Sequence, residues 1–187
     1  MDIEMKDYYE KTLAVERKYY GRIINVDLID IELPDGRRTK REVVRHGSAV
    51  AVLAQRHDGK FILVKQYRKA VEDALWEIVA GGIEDGESSE EAARRETAEE
   101  TGYDVVSLKY LTKIVCTPGY CEESIYIYFA EVGEKPHDQD QDPDENVHPF
   151  ALSEEEIEKM IAEGDIYDSK TLSAWACYLI ANKNKPC

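Results

Sequence analysis

Gly81-Gly82-Ile83-Glu84-Asp85-Gly86-Glu87 and, seven residues later, Arg95-Glu96-Thr97-Ala98-Glu99-Glu100-Thr101-Gly102-Tyr103 are the segments that decide the fold of this chain. Together they fit the pattern G-x5-E-x7-R-E-U-x-E-E-x-G-U, in which U is a bulky apolar residue. Thr97 departs from the pattern, because it stands at the first U position. The loop glycines allow the backbone to approach a ligand closely. The pattern therefore predicts a ligand-binding loop followed by an acidic helix.

The second segment carries glutamates at helical spacing. On a helix, Glu96, Glu99 and Glu100 lie three or four positions apart, so their carboxylates gather on one stripe. Such a stripe repels itself unless a positive charge lies on it, and Mg²⁺ or Mn²⁺ prefers carboxylate oxygen. A solvated helix face is the alternative interpretation. The glycine-rich loop favours the metal site, because a surface helix requires no such loop.

The same segment contains its own helix boundaries. Ser88 and Glu91 have the spacing of a capping box at the start of a helix. Gly102 suits the left-handed position just after the end of a helix. These residues predict a helix from about Ser89 to Thr101.

Composition limits the class of protein. The 187 residues carry a formal net charge of −15, from 24 basic and 39 acidic residues. Such a balance disfavours a nucleic-acid partner, and an anionic substrate would need cations as intermediaries. No apolar run approaches the length of a membrane span, and four cysteines without C-x-x-C spacing argue against a disulfide framework. We therefore expect a cytoplasmic protein with no membrane partner.

Alternating hydrophobic residues and turn residues predict the strands. Ile23–Leu33 and Thr39–Arg45 should form one hairpin, and residues 48–54 and 61–67 should form a second. Trp76–Ala80 should be one short strand that leads into the glycine loop. Later elements are expected as strands at about 108–116 and 124–132, then helices at about 154–163 and 170–181.

The motif and the order of elements resemble the Nudix hydrolase family, and the resemblance covers nearly the whole chain. It implies the Nudix fold, an α/β (α+β) architecture with a mixed β-sheet sandwiched between helices. It also implies an N-terminal β-strand extension at residues 1–46 and a Nudix hydrolase domain at residues 47–187. In relatives such an extension helps to build a homodimer, so a homodimer is expected here.

Residues outside the motif resemble the ADP-ribose pyrophosphatases of that family. The shared positions are Arg41-Glu42, His46-Gly47, Gln66-Tyr67-Arg68, Trp76-Glu77, Ala80-Gly81 and Thr117-Pro118-Gly119. The resemblance implies hydrolysis of the diphosphate bond of ADP-ribose, with AMP and ribose 5-phosphate as products. Two or three Mg²⁺ or Mn²⁺ ions would be held by the Ala80 carbonyl, Glu96, Glu99 and Glu100.

Substrate contacts are expected from the same resemblance. Arg68 and Arg41 would bind the diphosphate, because a planar guanidinium donates paired hydrogen bonds to phosphate oxygens. Either arginine could instead form a surface ion pair. Glu77 could bind substrate or pair with an arginine, and both interpretations stay open. Pro118 would shape a wall of the substrate site.

The general base is expected in an acidic loop. Hydrolysis needs a carboxylate that accepts a proton from the attacking water. Relatives place this residue in a loop after the strands, and Glu145 is the choice here, with Asp144 and Asp142 as reserves. Two alternatives stay open. The loop could be a flexible acidic linker without a catalytic member, or a helix glutamate, Glu99 or Glu100, could serve as the base.

Two other functions stay open at this point. The first is hydrolysis of a different nucleoside diphosphate sugar such as GDP-mannose, because the catalytic residues do not encode the base or the sugar. The second is a non-catalytic nucleotide-sugar binding module. Loss of a metal glutamate would be expected in such a module, and no motif glutamate is missing here.

Overall fold

The chain is described by a computed structural model that covers residues 4–134, 136–139 and 146–183. It divides into two compact units. The first contains the described residues up to Gly47 together with 115–123, and the second contains the remainder. The domain assignment 1–46 and 47–187 stays a prediction, and the first unit differs from that extension by including residues 115–123.

The first unit is built on a three-stranded antiparallel sheet in the order β1-β2-β3. Its strands are β1 (Lys11–Tyr20), β2 (Asn25–Glu32) and β3 (Arg38–Arg45). The hairpin predicted from the turn after Leu33 is confirmed as β2 and β3. Residues 115–123 join this unit through backbone hydrogen bonds between Val44 and Tyr120 (2.7 Å) and between Glu122 and Val44 (3.2 Å).

Strand β1 was not predicted as a separate strand, and its geometry shows why. All ten of its residues are exposed, so burial imposes no alternation of apolar and polar side chains. The pairing of β1 with β2 also shifts register between Thr12 and Ala14 and between Arg17 and Tyr19. Each shift moves the following side chains to the other face, which hides a period of two in the sequence.

The second unit holds the motif and a seven-stranded mixed sheet. Its strands are β4 (Ala49–Gln55), β5 (Phe61–Arg68), β6 (Asp73–Glu77), β7 (Val79–Gly82), β8 (Val105–Val115), β9 (Ser124–Val132) and β10 (His148–Leu152). Its helices are α1 (Ser89–Thr101), α2 (Glu154–Glu163) and α3 (Ser169–Lys183). The main strand order is β10-β5-β4-β9-β8, with β6 paired to β5 and β7 paired to β4.

Strand β4 lies at the centre of this unit. Residues Val50–Ala54 are at most 1% exposed, because helices cover both faces of the sheet. On one face, alternate residues of β4 pack with Ala92 and Ala93 of α1. On the other face, Phe61 of β5 meets Trp175 of α3 edge to face, with ring centroids 5.0 Å apart. The predicted mixed sheet between helices is confirmed.

The chain between Trp76 and Ala80 differs from the single predicted strand. Glu77 ends β6 in pairing with β5, whereas Val79 begins β7 in pairing with β4. Ile78 lies between them, and its backbone N–H donates to the Thr171 hydroxyl of α3 at 2.9 Å. The strand therefore changes partner at Ile78. A helix side chain, in place of the carbonyl of a neighbouring strand, accepts the hydrogen bond from the Ile78 N–H.

Candidate active site

The predicted boundaries of helix α1 are confirmed, because the helix spans Ser89–Thr101. The Ser88 hydroxyl accepts a hydrogen bond from the Glu91 N–H (3.3 Å), and the Glu91 carboxylate accepts one from the Ser88 N–H (2.9 Å). Gly102 ends the helix with φ 75°, where an L side chain would be strained. The motif thus folds as one loop and one helix.

Thr97, the departure from the motif, is fully buried in α1. Its hydroxyl donates to the Ala93 carbonyl one turn earlier at 2.7 Å. A buried hydroxyl with an acceptor avoids the cost of an unsatisfied polar group. The departure therefore leaves the packing of α1 intact.

Arg95 connects the loop to the helix. Its Nε and Nη2 atoms donate to both oxygens of Glu87, each at 2.9 Å, and Nη2 also donates to the Gly82 carbonyl at 2.9 Å. Its Nη1 atom donates to Glu96 (2.7 Å) and Glu99 (3.0 Å). These hydrogen bonds raise the pKa of Arg95, and those to Glu87 have the largest effect. The hydrogen bonds from Arg95 in turn hold the pKa of Glu87 below its usual value. One guanidinium is therefore shared by three carboxylates, which leaves an excess of negative charge.

Strand β7 requires a residue without a side chain at position 81. A Cβ atom at Gly81 would overlap with the carboxylate of Glu96, whereas a Cβ at Gly82 would meet nothing within 4 Å. Glu96 is 9% exposed and Glu100 is 3% exposed, so both lie in the wall between α1 and the sheet. Strand β7 thus leaves space for one particular carboxylate directly beside Ala80.

The fit of a divalent metal rests on this donor set. Among the residues that the structure describes, no three carboxylate, imidazole or thiol groups already form a metal-binding group. Arg95 supplies the positive charge to Glu96 and Glu99 in this arrangement. The donor types still fit a hard cation, because three glutamates and a backbone carbonyl offer oxygen only. The space at Gly81 is the structural observation that supports this fit.

Arg68 and Glu77, two predicted substrate contacts, lie against each other. Arg68 Nε donates to Glu77 Oε1 and Arg68 Nη2 donates to Oε2, both at 2.7 Å. Glu77 is 1% exposed and also accepts a hydrogen bond from Lys170 of α3. Burial alone would raise the pKa of Glu77, but the hydrogen bonds from Arg68 and the charge of Lys170 outweigh it and lower this pKa.

Arg41 and Pro118 lie in the first unit. Arg41 Nη2 and Nε donate to the carboxylate of Glu10 at 2.6 and 3.1 Å. Arg41 and Pro118 line the same concavity, with a volume of about 440 Å³, together with Glu10 and residues 119–122. The structure thus brings these two predicted substrate contacts to one place on the first unit.

The predicted general base, Glu145, lies outside the described residues, as do Asp144 and Asp142. The segment that leads toward them is described. The His137 N–H donates to the Gly102 carbonyl at 2.7 Å, and the Gln139 side-chain amide donates to the Glu100 carbonyl. Residues 136–139 therefore lie against the end of α1 that carries Glu99 and Glu100.

Sequence reasoning missed the residues at the start of α3. Asp168 accepts hydrogen bonds from the Thr171 N–H (3.0 Å) and hydroxyl (2.6 Å), which is the arrangement of an N-cap. Lys170 reaches both Asp168, at 3.1 Å, and Glu77. The Asp-Ser-Lys-Thr sequence could have indicated the cap, but no sequence signal indicates that Lys170 contacts a strand 93 positions away.

Comparisons with known proteins agree with this fold. A model of the NUDIX domain matches residues 45–173. An ADP-ribose pyrophosphatase of Bacillus subtilis (strain 168) is 40% identical over 171 residues, covering 91% of this chain and 92% of the relative. A methanol dehydrogenase activator of Bacillus methanolicus is 40% identical over 170 residues, covering 90% and 92%. A GDP-mannose pyrophosphatase of Yersinia enterocolitica is 32% identical over 153 residues, covering 78% and 80%.

A solved structure described as an ADP compounds hydrolase superposes with a TM-score of 0.82 at 25% sequence identity, covering 93% of this chain and 94% of that one. The loop, the acidic helix and the mixed sheet are those of a Nudix hydrolase. This chain belongs to the Nudix family and is an enzyme of that family. Nudix hydrolases generally use divalent metals such as Mg²⁺. Within the described residues, no helix combines the length and apolar character needed to cross a membrane.

Proposed function

We propose that this enzyme hydrolyses the diphosphate bond of ADP-ribose and releases AMP and ribose 5-phosphate. The observation that carries this proposal is the cluster of glutamates on α1, with the Glu96 carboxylate lying against Gly81. Two relatives support the substrate class, because an ADP-ribose pyrophosphatase is more similar to this chain than the GDP-mannose pyrophosphatase is.

The metal ligands of the proposal are the Ala80 carbonyl, Glu96, Glu99 and Glu100, which would hold two or three Mg²⁺ or Mn²⁺ ions. When bound, such ions neutralise phosphate charge and activate water for attack. Arg95 ties Glu87 to α1 and so keeps the loop at a fixed distance from the helix. Through this ion pair, Ala80 of β7 and the carboxylates of α1 would face the same region.

Substrate binding is assigned to Arg68, Glu77, Arg41 and Pro118. Arg68 offers its Nη1 atom to a phosphate oxygen, since its other two guanidinium nitrogens are held by Glu77. Glu77 contributes by orienting that guanidinium. Arg41 and Pro118 are proposed as substrate contacts in the first unit, where they share one concavity.

Glu145 is proposed as the general base, with Asp144 and Asp142 as reserves. The support is the contact of Gln139 with the Glu100 carbonyl, because Glu145 follows Gln139 by six positions in the sequence (145 − 139). The base accepts a proton from the attacking water as the bond between phosphorus and the bridging oxygen breaks. Glu99 or Glu100 remains the alternative base on the helix.

A substrate panel tests the reaction. Purified protein with Mg²⁺ or Mn²⁺ is incubated with ADP-ribose, GDP-mannose and other nucleoside diphosphate sugars, and the products are separated by chromatography. We expect kcat/KM for ADP-ribose to exceed that for GDP-mannose by about tenfold or more, the discrimination that a site gains from matched polar contacts. Faster turnover of GDP-mannose would refute the substrate assignment. Binding without any turnover would refute the hydrolase and favour the binding module.

We also propose a cytoplasmic homodimer in which the N-terminal strands provide the contact. Strand β1 supports this, because its exposed residues include Leu13, Val15, Tyr19 and Tyr20. Exposed apolar residues along one strand are typical of a surface that binds a partner. Light scattering on the purified protein measures the mass and would contradict the proposal if it gave that of one chain.

A further inference from the structure

Lys170 is a buried cation outside the motif and outside the predicted site. It is 8% exposed, and its ammonium group lies between Glu77 and Asp168. Burying a lysine is costly unless it is paired and hydrogen-bonded, so this position requires an explanation beyond chance. Pairing with Glu77 links the start of α3 to the end of β6.

Glu77 is shared between two cations. Arg68 donates to both of its oxygens, and Lys170 donates to Oε2 as well. With Asp168, which also contacts Lys170, the group holds two cations and two carboxylates and has no net charge. Without Lys170, Arg68 alone would face both carboxylates, and the group would be negative.

Asp168 is the second carboxylate of this group. It caps α3, and the positive end of a helix dipole favours an anion at this place. The carboxylate of Asp168 is therefore balanced both by the helix and by Lys170. Arg68, whose side chain is 40% exposed, thus lies beside carboxylates whose charge Lys170 offsets.

The Arg68 guanidinium has one nitrogen available to a ligand. Its Nε and Nη2 atoms are held by Glu77, and Nη1 donates to no other residue in the described part of the chain. The hydrogen bonds to Glu77, then the charges of Glu77 and Glu100, raise the pKa of Arg68. The influence of Glu100 places Arg68 near the carboxylates of α1 rather than at a remote part of the surface.

We propose that Lys170 is a positioning residue for the hydrolysis: it shares the charge of Glu77, so that Arg68 stays attractive to the diphosphate of the substrate. This inference rests on the proposed function, because it takes Arg68 as the phosphate contact. Lys170 itself does not touch substrate. Its effect is on substrate binding rather than on the chemical step.

A double-mutant cycle tests this assignment. Lys170→Met, Arg68→Ala and the double variant are compared with the natural sequence on whichever panel substrate is turned over fastest. Lys170→Met should raise KM about five- to tenfold, with kcat changed by less than about twofold. Arg68→Ala should raise KM about tenfold or more. Adding Lys170→Met to Arg68→Ala should raise KM by less than about twofold, because Lys170 acts through Arg68.

Lys159→Met is the matched control. Lys159 is an exposed lysine of α2 whose side chain is 70% exposed, and its loss should leave KM unchanged. An equal increase of KM by Lys170→Met in both backgrounds, or no increase at all, would overturn the proposal. So would an Arg68→Ala variant with unchanged KM, although continued turnover would then leave the hydrolase function standing. If the natural sequence turns over nothing, the proposed function fails, and the cycle is measured as binding of inorganic pyrophosphate with Mg²⁺.

A spectroscopic measurement separates a charge effect from a loss of structure. In protein labelled with ¹⁵N-arginine, the Nε–H resonance of Arg68 is assigned by its loss in Arg68→Lys. It should persist in Lys170→Met, because Glu77 still holds Arg68. Its disappearance would show that Lys170 supports the structure and would overturn the charge role. If Lys170→Met does not fold, Lys170→Gln, which keeps a hydrogen-bond donor without the charge, undergoes the same measurements.

Discussion

Two charged clusters in the second unit differ in their charge balance. Around α1, one guanidinium, that of Arg95, contacts three carboxylates, which leaves an excess of negative charge. At the start of α3, two cations, Arg68 and Lys170, face two carboxylates, Glu77 and Asp168, so their charges are equal in number. An excess of carboxylate favours a metal ion, whereas paired charges leave the guanidinium of Arg68 able to meet a phosphate. We expect a chain with a net charge of −15 to bind an anionic substrate through such local differences in charge.

The largest effect is expected from the acidic cluster. Glu100→Gln keeps the shape of a buried side chain but removes a proposed metal ligand, so kcat should fall by about 10²- to 10⁴-fold, or several kcal/mol of transition-state stabilisation. Steady-state kinetics with Mg²⁺ measures this, and circular dichroism checks that the fold is kept. Glu90→Gln is the control, because Glu90 is an exposed residue of the same helix. Equal activity of the two variants would remove Glu100 from the site.

A smaller effect is expected from the neighbouring glycine loop. Gly81→Ala places a methyl group where the Glu96 carboxylate lies, whereas Gly82→Ala places one in open space. We expect Mn²⁺ affinity to fall about 10- to 100-fold in Gly81→Ala, the loss typical when a group that orients a ligand is disturbed. Gly82→Ala should be within about twofold. Titration followed by electron paramagnetic resonance measures bound Mn²⁺. Similar affinities of the two variants would show that the space at Gly81 does not hold Glu96 in place for the metal.

The smallest effect is expected from the cluster at the start of α3, and it depends on pH. Because the folded state lowers the pKa of Glu77 from its ordinary 4.5, this carboxylate stabilises the fold above that pH and loses its contribution as the pH falls through the lowered value. Glu77→Gln should therefore reduce the free energy of unfolding by about 1.5 kcal/mol at pH 7, the lower end of the range for a hydrogen bond to a charged group.

Urea unfolding at several pH values measures this difference. The other carboxylates titrate in both proteins, so the gap in the free energy of unfolding between the natural sequence and Glu77→Gln reports Glu77 alone. This gap should close as the pH falls into the acidic range. A gap that stays constant between pH 7 and pH 3 would show that folding does not favour the ionised form of Glu77.

Local sequence signals predicted the helix boundaries and the hairpin that depend on residues close together in the chain. The boundaries of α1 and α2 follow from Ser88, Ser153 and the glycines after each helix, because capping is set within a few positions. The hairpin of β2 and β3 follows from its turn residues in the same way. The helical spacing alone also predicted that the motif glutamates lie on one stripe of α1.

Features that depend on tertiary contacts were not predicted. Strand β10 contains Pro149, which argues against a strand, yet β10 lies at the edge of its sheet, where proline is tolerated. The break at Ile78 depends on a hydroxyl group of α3. Lys170 looks like an ordinary helix lysine until β6 brings Glu77 to it. In each case the decisive partner is distant in sequence.

The hydrogen bond between Ile78 and Thr171 has a consequence for biosynthesis. The motif leaves the ribosome well before α3, and domains form from the N-terminal end as the chain emerges. Until α3 is made, the N–H of Ile78 has no hydroxyl to bind and Glu77 lacks one of its two counter-charges. The nascent chain therefore carries its complete motif well before the contacts of Ile78 and Glu77 can be completed.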